Sequence, residues 1–506
     1  MIIEFSQAKN NELTFSVDGK FCHSKYNPSA EAEKWIEQLS IDFNPKVIVI
    51  LGAGLPYYLP KLQTKFSNAK ILLIQYDKKI LNKVNIEFAK SLNNIYQICI
   101  SNYLTQNELT EYFFNEFTEE LSNQILFLSW KPSENIFLDE YNFTLNAIQN
   151  YLSNSKDIIA TRRYFSKKWI ANIFRFFTLT QNNFYQIKKT KKDILVIASG
   201  PSLKNSLNKI KKYKKNLFII SVSSATKILI ENKIIPDLII TTDGGYWAKK
   251  HLQFLSNEKY DIPIMCTAES SLPNNLLKNN KIIPIEYNDY TNNYFFEKTN
   301  LTTIKTNRNG TVSGTALEIA KQLTDKNIYF VGLDLSTTNG YQHSQPNILE
   351  INDSLSDNYF FNKEKRICVR NFNSSSLNTY RIWFENLPQN YTKNVTRIFT
   401  EKSKYHNLGN IKSISWDEAK FDNKIINENL FTKQNYEIKI ETKKIIIDLL
   451  NKISNDIQWL TNLSLGNILN YNKYNNKLYL ENAIIESKQF LEEQLLKLEK
   501  IYNDEQ

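Results

Sequence analysis

Histidine is scarce in this chain, with four among 506 residues, and His343 is the one placed where chemistry is expected. It follows Asp334 by nine positions on a stretch rich in polar residues. An imidazole titrates near neutral pH, so it can take a proton from a hydroxyl that attacks an electrophile. The competing reading is an ordinary loop histidine. Upstream, Ile194-Leu195-Val196-Ile197-Ala198-Ser199-Gly200-Pro201-Ser202-Leu203 reads as a buried strand that passes through a tight turn into a helix. Gly200 permits the turn, Pro201 fixes φ and Ser202 is suited to cap the helix. From Gly200 to Leu203 such a turn aims backbone N–H groups and the positive end of a helix at the crevice above a sheet, where a phosphate would bind. Taken alone, the same residues fit any strand-to-helix connection.

Other segments give the turn company. Ser221 and Ser223, with Ser224, lie at the end of the run Phe218 to Val222; Asp243 ends the run after Pro236-Asp237; Thr267 ends a fourth. Gly310, Ser313 and Thr315 open a helix, and Gly332-Leu333-Asp334 closes a further strand. Strand ends of a parallel sheet face one side, so these polar groups converge on one crevice. Asp237 reads equally as a strand start or a ligand contact, and His23, His251 and His406 read as structural.

The elements that must carry these residues follow from pattern. From Phe15 to about Tyr151, short aliphatic runs (Val47 to Leu51, Ile71 to Ile74, Ile95 to Ile100, Ile125 to Leu128) alternate with helical stretches, which predicts a parallel sheet wound with helices. A linking helix over 153–180 leads to a second such series, with runs at Ile194, Phe218, Leu238, Ile262, Ile282 and Ile328. After Asp417 glycine almost vanishes, and Leu449, Leu450, Ile453, Ile457 and Leu460, then Leu491, Leu495 and Leu498, recur at helical spacing. The fold class expected is α/β, with two doubly wound Rossmann-like domains, 1–152 and 153–415, and a C-terminal α-helical domain, 416–506. Those last helices are suited to oligomer assembly or partner contact. The turn Gly52-x-Gly54 after a strand resembles a nucleotide-binding turn, but the third glycine and a ribose-binding acid are missing, so a domain that packs or recognises the acceptor is the stronger reading.

Bulk properties narrow the class. The net charge of +11 is carried by scattered lysines, as in Lys188-Lys189-Thr190-Lys191-Lys192, which reads as solvated surface and not as a nucleic-acid footprint. Cys22, Cys99, Cys266 and Cys368 form no CxxC pair, so neither a zinc site nor a disulfide framework is indicated. The start Met1-Ile2-Ile3-Glu4-Phe5 has no basic region followed by an apolar run, and no stretch of about 18 uncharged apolar residues occurs. A cytoplasmic protein with no membrane partner is expected.

The string Val196 to Leu203, the segment Ile235-Pro236-Asp237 to Asp243, the turn Asn309-Gly310 to Ala316, and Ile328 to Asp334 followed by His343 together resemble the central domain of the motility-associated (Maf) flagellin glycosyltransferases. The wider superfamily resembled includes the MptE-like pterin pyrophosphokinases, and its fold is similar to that of sialyltransferases using cytidine monophosphate (CMP)-activated sugars. His23-Ser24-Lys25-Tyr26-Asn27-Pro28, with Glu31-Ala32, and Gly52-Ala53-Gly54-Leu55-Pro56-Tyr57-Tyr58 resemble the Maf N-terminal domain, and Thr161, Trp169 and Asn172 its connecting helix. Pro56 stands where a glycine is usual, Gln75-Tyr76-Asp77 departs from the acidic position, and the last third matches loosely.

That resemblance implies a glycosyltransferase moving a pseudaminic or sialic-type nonulosonic acid from its CMP donor to Ser or Thr of flagellin. It implies His343 as base, with Asp243 and Asp334 to orient it, bind the sugar or hold a metal. The nucleotide and its phosphate would be held by Gly200, Pro201, Ser202, Leu203, Ser221 and Ser223, with Thr267, Gly310, Ser313 and Thr315 around them. No cofactor is obligatory in this reading, and a divalent metal is compatible with it. An MptE-like diphosphokinase, using ATP and Mg²⁺ on a pterin alcohol, is the first alternative; a non-catalytic flagellar assembly factor is the second.

Overall fold

The computed structural model describes residues 1–93, 95–257, 260–372, 375–400, 406–421, 426–435 and 441–503, the side chains of 369–372, 375–376 and 502–503 excepted. These residues group into two compact units, Met1–Tyr164 with Ile453–Gln489 and Phe165–Lys452 with Phe490–Gln506.

In the first unit, β1 (Ile3–Gln7), β2 (Leu13–Val17) and β3 (Lys20–Phe21) form an antiparallel meander. The four aliphatic runs become β4 (Val47–Leu51), β5 (Lys70–Gln75), β6 (Ile95–Cys99) and β7 (Ile125–Ser129), a parallel sheet in the order β6-β5-β4-β7. Every residue of β4 is buried, as expected of a strand with neighbours on both edges and helices on its faces. The glycine turn after β4 is closed by the unit's own side chains. His23 Nε2 accepts the Leu55 N–H at 2.8 Å, and the Gln75 amide bonds both the N–H and the carbonyl of Gly54, at 3.2 and 2.8 Å.

In the second unit, β8 (Tyr185–Ile187) is followed by β9 (Asp193–Ile197), β10 (Leu217–Val222), β11 (Leu238–Thr241), β12 (Ile264–Thr267), β13 (Ile282–Tyr287), β14 (Ile304–Thr306), β15 (Ile328–Val331), β16 (Val395–Phe399) and β17 (Lys412–Ser415). The last nine make one parallel sheet in the order β14-β13-β12-β11-β10-β9-β15-β16-β17, and β18 (Phe431–Lys433) pairs antiparallel with β8. From β9 to β14 the chain steps one way across the sheet; β15 then returns to the other side of β9. Winding therefore reverses between β9 and β15, where a crevice opens at the carboxyl ends of the strands. Both faces are covered: Ile194 and Val196 belong to one buried cluster, Leu195 and Ile197 to another.

The linking helix is longer than its pattern predicts, running from Leu138 to Leu179. Its last turns are fixed by aromatic packing, with Phe177 stacked on Phe295 at 5.4 Å and Phe174 edge-on to the same ring at 5.8 Å. The C-terminal region is helical as expected, with helices Thr442–Lys452, Ile457–Leu463, Leu465–Tyr474 and Lys477–Asn503, and both units contain part of it. Their spacing marks a buried face without saying which neighbour buries it. No helix among the described residues is long and apolar enough to cross a membrane.

Candidate functional site

The β9 turn and the β15 end meet at the reversal point. Gly200 donates its N–H to the Gly332 carbonyl at 2.8 Å, and Ala198 donates to Val331 at 2.9 Å. The approach needs two glycines. A Cβ on Gly200 would collide with the Gly332 carbonyl and stand 2.7 Å from the Asp334 carboxyl carbon, while Gly332 has φ +71°, where side chains are disfavoured. Beyond that contact, the buried Asp334 accepts the Ser202 N–H on Oδ2 at 2.7 Å and the Ser202 hydroxyl on Oδ1. Burial raises the Asp334 pKa, and the Ser202 hydrogen bonds and the Arg397 charge oppose that rise.

This corrects the expected phosphate cradle. The N–H groups of Gly200, Ser202 and Leu203 are all engaged, the last with the Gly200 carbonyl at 3.0 Å, and Pro201 has none. Ser202 does not cap the helix Leu203–Tyr213, because its side chain turns to Asp334. Asp334 is the holder of this turn, with both oxygens on Ser202.

His343 sits on the same turn. Its Nδ1 lies 3.0 Å from Ser199 Oγ, and the Ser344 N–H bonds the Ser199 carbonyl at 2.7 Å. Ser224 Oγ donates to Ser199 Oγ at 2.8 Å. The direction of the Ser199–Nδ1 bond follows the tautomer: where Nδ1–H donates to Ser199 Oγ, Nε2 is unprotonated and can accept a proton. Burial lowers the His343 pKa to about 4, so the ring is neutral at pH 7. His251, taken from sequence as structural only, stands edge-on to His343 with centroids 6.2 Å apart, and burial and then the His343 charge lower its pKa to about 4. His343 lines a cleft of about 200 Å³ with Trp247, Tyr341, Gln345, Asn347 and Glu350 among its walls.

Ser223 and Ser224 open the helix Ser223–Glu231, whose first N–H groups have no carbonyl before them in the helix. Through Ser224 this positive helix end reaches the Ser199–His343 pair. Ser221 and Thr267 face inward: the first bonds Val222 O and Thr226, the second Ser270. Asp243 is exposed at the end of β11 and accepts the Gly245 N–H at 2.8 Å. Across from it, Tyr380 has its pKa raised by burial and then by the Asp243 charge, and the Tyr380 ring lies against Gly310. Ser313 and Thr315 begin the helix Val312–Leu323, capped by Thr311.

A second cluster, unread in the sequence, covers the ends of β12 to β14. Arg308 forks onto the buried Glu269 with two bonds of 2.8 Å and reaches Asp289 at 2.9 Å. Its guanidinium lies 4.8 Å from the Trp169 ring centroid and 4.6 Å from that of Tyr287. Asn172 bonds the carbonyls of Gly244 and Glu269, at 3.2 and 2.8 Å. Trp169 and Asn172 of the linking helix thus tie the β11 and β12 ends. Arg308 carried no sequence signal beyond its place before Asn309-Gly310. Among the described residues no group of three or more His, Cys, Asp or Glu is arranged to hold a metal.

Residues 167–340 match the sequence model of the family described as 6-hydroxymethylpterin diphosphokinase MptE-like. An uncharacterized protein of Treponema pallidum (strain Nichols) is 28% identical over 347 residues, 67% of this chain and 74% of that one. Among solved structures, the Maf glycosyltransferase from Magnetospirillum magneticum AMB-1 superposes with a TM-score of 0.56, at 11% identity, over 98% of this chain and 87% of that one. At that identity the likeness establishes the fold alone, an α/β architecture. Family match and fold both fit the resemblance carried by the motifs.

Proposed function

We propose that this chain is a glycosyltransferase, and that its donor is a CMP-activated nonulosonic acid and its acceptor a Ser or Thr hydroxyl of flagellin. The observation that carries the reading is the Ser199–His343 contact at the β9/β15 reversal, beside the open end of the helix Ser223–Glu231. In support stand the fold shared with a Maf glycosyltransferase and the motif resemblance. The acceptor oxygen attacks the anomeric carbon, the bond from that carbon to the phosphate oxygen breaks, and CMP leaves with the electron pair. His343 Nε2 takes the hydroxyl proton. The helix N-terminus and the Ser223 and Ser224 hydroxyls stabilise the departing phosphate. Asp243, exposed at the neighbouring strand end, contacts sugar hydroxyls.

A second reading, diphosphate transfer from ATP to a pterin alcohol, has the family match over residues 167–340 in its favour. It places more phosphate charge in the site and calls for Mg²⁺, with Asp243 the accessible ligand. Two measurements separate them. Intact flagellin mass from cells making wild-type chain or His343→Ala should lose the sugar increment in the variant at equal protein level; an unchanged mass defeats the transferase reading for that acceptor. CMP alone should raise the melting temperature, whereas a rise seen only with ATP and Mg²⁺ favours the diphosphokinase.

A further inference from the structure

The first unit contains a cleft of about 320 Å³ that the central site does not use. One wall is a single face of the long helix, Leu152, Lys156, Ile159 and Arg163, at successive spacings of four, three and four. Gly466, Leu469 and Asn470 form the facing wall, and Ser122 and Asn123 close the end.

Its charge is one-sided. No acid lines it, and the nearby Glu119 and Glu120 are both taken by Arg162, at 2.8 and 2.5 Å. Among the described residues, neither Lys156 nor Arg163 has an ion-pair partner. Gly466 gives the Arg163 guanidinium its resting place, since an added Cβ would stand 3.1 Å from its Nε. An exposed guanidinium and an exposed ammonium lining one cavity without a counter-charge favour an anion. The rest of the lining suits a carbohydrate: Asn123 Oδ1, whose amide N–H already bonds the Leu469 carbonyl, the Asn470 amide and the Ser122 hydroxyl for ring hydroxyls, with Leu152, Ile159 and Leu469 for the C–H face. The volume suits one hexose-sized or somewhat larger ligand.

We infer that this cleft binds an anionic sugar, with Arg163 and Lys156 on its acidic group. The acid is a carboxylate on a sugar acid or a phosphate ester on a sugar, and the inference is independent of the transferase reading, which stands if it fails.

The test is saturation-transfer NMR and calorimetric titration of the full chain with N-acetylneuraminate, glucose 6-phosphate, inorganic phosphate and, as neutral control, glucose. Wild-type chain should bind at least one anionic sugar in the millimolar range or tighter, and glucose at least about tenfold more weakly. Arg163→Gln with Lys156→Gln should weaken that binding at least about tenfold while melting as wild type does, and His343→Ala should keep it. Preference for the neuraminate assigns the carboxylate form, preference for the hexose phosphate the ester. Three outcomes overturn the inference: no saturable binding of either anionic sugar, binding untouched by the double variant, or binding lost in His343→Ala alone. If the double variant unfolds, Gly466→Leu, which fills the cleft without removing charge, must abolish binding in its place.

Discussion

The Asp334 carboxylate accepts both the backbone N–H and the hydroxyl of Ser202, two residues 132 positions apart in sequence. This bond pair locks the β9 turn to the end of β15 and sets the shape of the crevice floor. Replacing Asp334 by Ala leaves a buried N–H and a buried hydroxyl without acceptors, a loss of about 2–4 kcal/mol at charge-assisted values. Asp334→Asn, which keeps one good acceptor, should lose less. Urea midpoints of the three proteins decide the matter, and a shift equivalent to under about 0.5 kcal/mol for the alanine variant contradicts the assignment.

The two imidazoles make stability fall in acid. In the unfolded chain His251 and His343 protonate near the ordinary value of 6.5; in the folded chain burial delays this to about 4. Between those values the unfolded state binds more protons, so the stabilisation is complete above pH 6.5 and is lost as pH falls towards 4. Each neutral histidine carries on the order of 3 kcal/mol across that window. Asp334, whose pKa is raised, acts in the opposite direction, because its protonated form favours the folded state. The melting temperature should drop from pH 7 to pH 5, and His251→Asn should reduce the slope. An unchanged slope in that variant would place His251 in water.

Under the transferase reading, the same shift governs the rate profile. A base with its pKa near 4 stays unprotonated through the ordinary assay range, so the acid limb of the rate profile should lie near pH 4 and not near 6.5. Ser199 fixes the ring through Nδ1, so Ser199→Ala should slow transfer by about tenfold to a hundredfold with little change in KM, since positioning acts on the reacting geometry. Bound CMP should also raise the His343 pKa, because a nearby phosphate favours the charged imidazole. NMR titration of the ring with and without CMP reads this directly.

How far the sequence carried these conclusions varied with the kind of interaction. Buried parallel strands announce themselves as aliphatic runs, which is why β4, β5, β9, β10, β11, β13 and β15 were legible. β14, β16 and β17 were not, since Ile304-Lys305-Thr306, Val395-Thr396-Arg397 and Lys412-Ser413-Ile414 alternate apolar with polar residues. Arg397 is buried inside β16, bonding Ser413 Oγ at 2.7 Å and the His406 carbonyl at 2.6 Å, a satisfied charge that no hydropathy pattern reveals. At the site, Ser202, Asp334 and His343 were readable as types at strand ends. That Asp334 engages the Ser202 N–H, and that Ser224 reaches the Ser199–His343 pair, depends on long-range contacts that spacing does not encode. His251 has the signature of any helical residue until the fold brings it to His343.

The Arg308 cluster tests whether the far wall of the crevice is held by charge. Glu269 is buried, and its pKa is raised by burial, against which the Arg308 guanidinium pulls downwards. Removing the cation strands a buried carboxylate beside Asp289, a loss of about 1–3 kcal/mol because the guanidinium itself is partly exposed, whereas neutralising the acid as well removes the stranded charge. Arg308→Ala should therefore unfold at much lower urea than wild type, and Glu269→Gln added to it should recover part of the difference. Arg308→Lys keeps the charge but forfeits the fork and the stacking on Trp169 and Tyr287, so it should fall between them. Equal destabilisation in Arg308→Ala with and without Glu269→Gln would mean that the arginine acts through its packing on the two rings, and the wall would then be held by the aromatic stack and not by the ion pair.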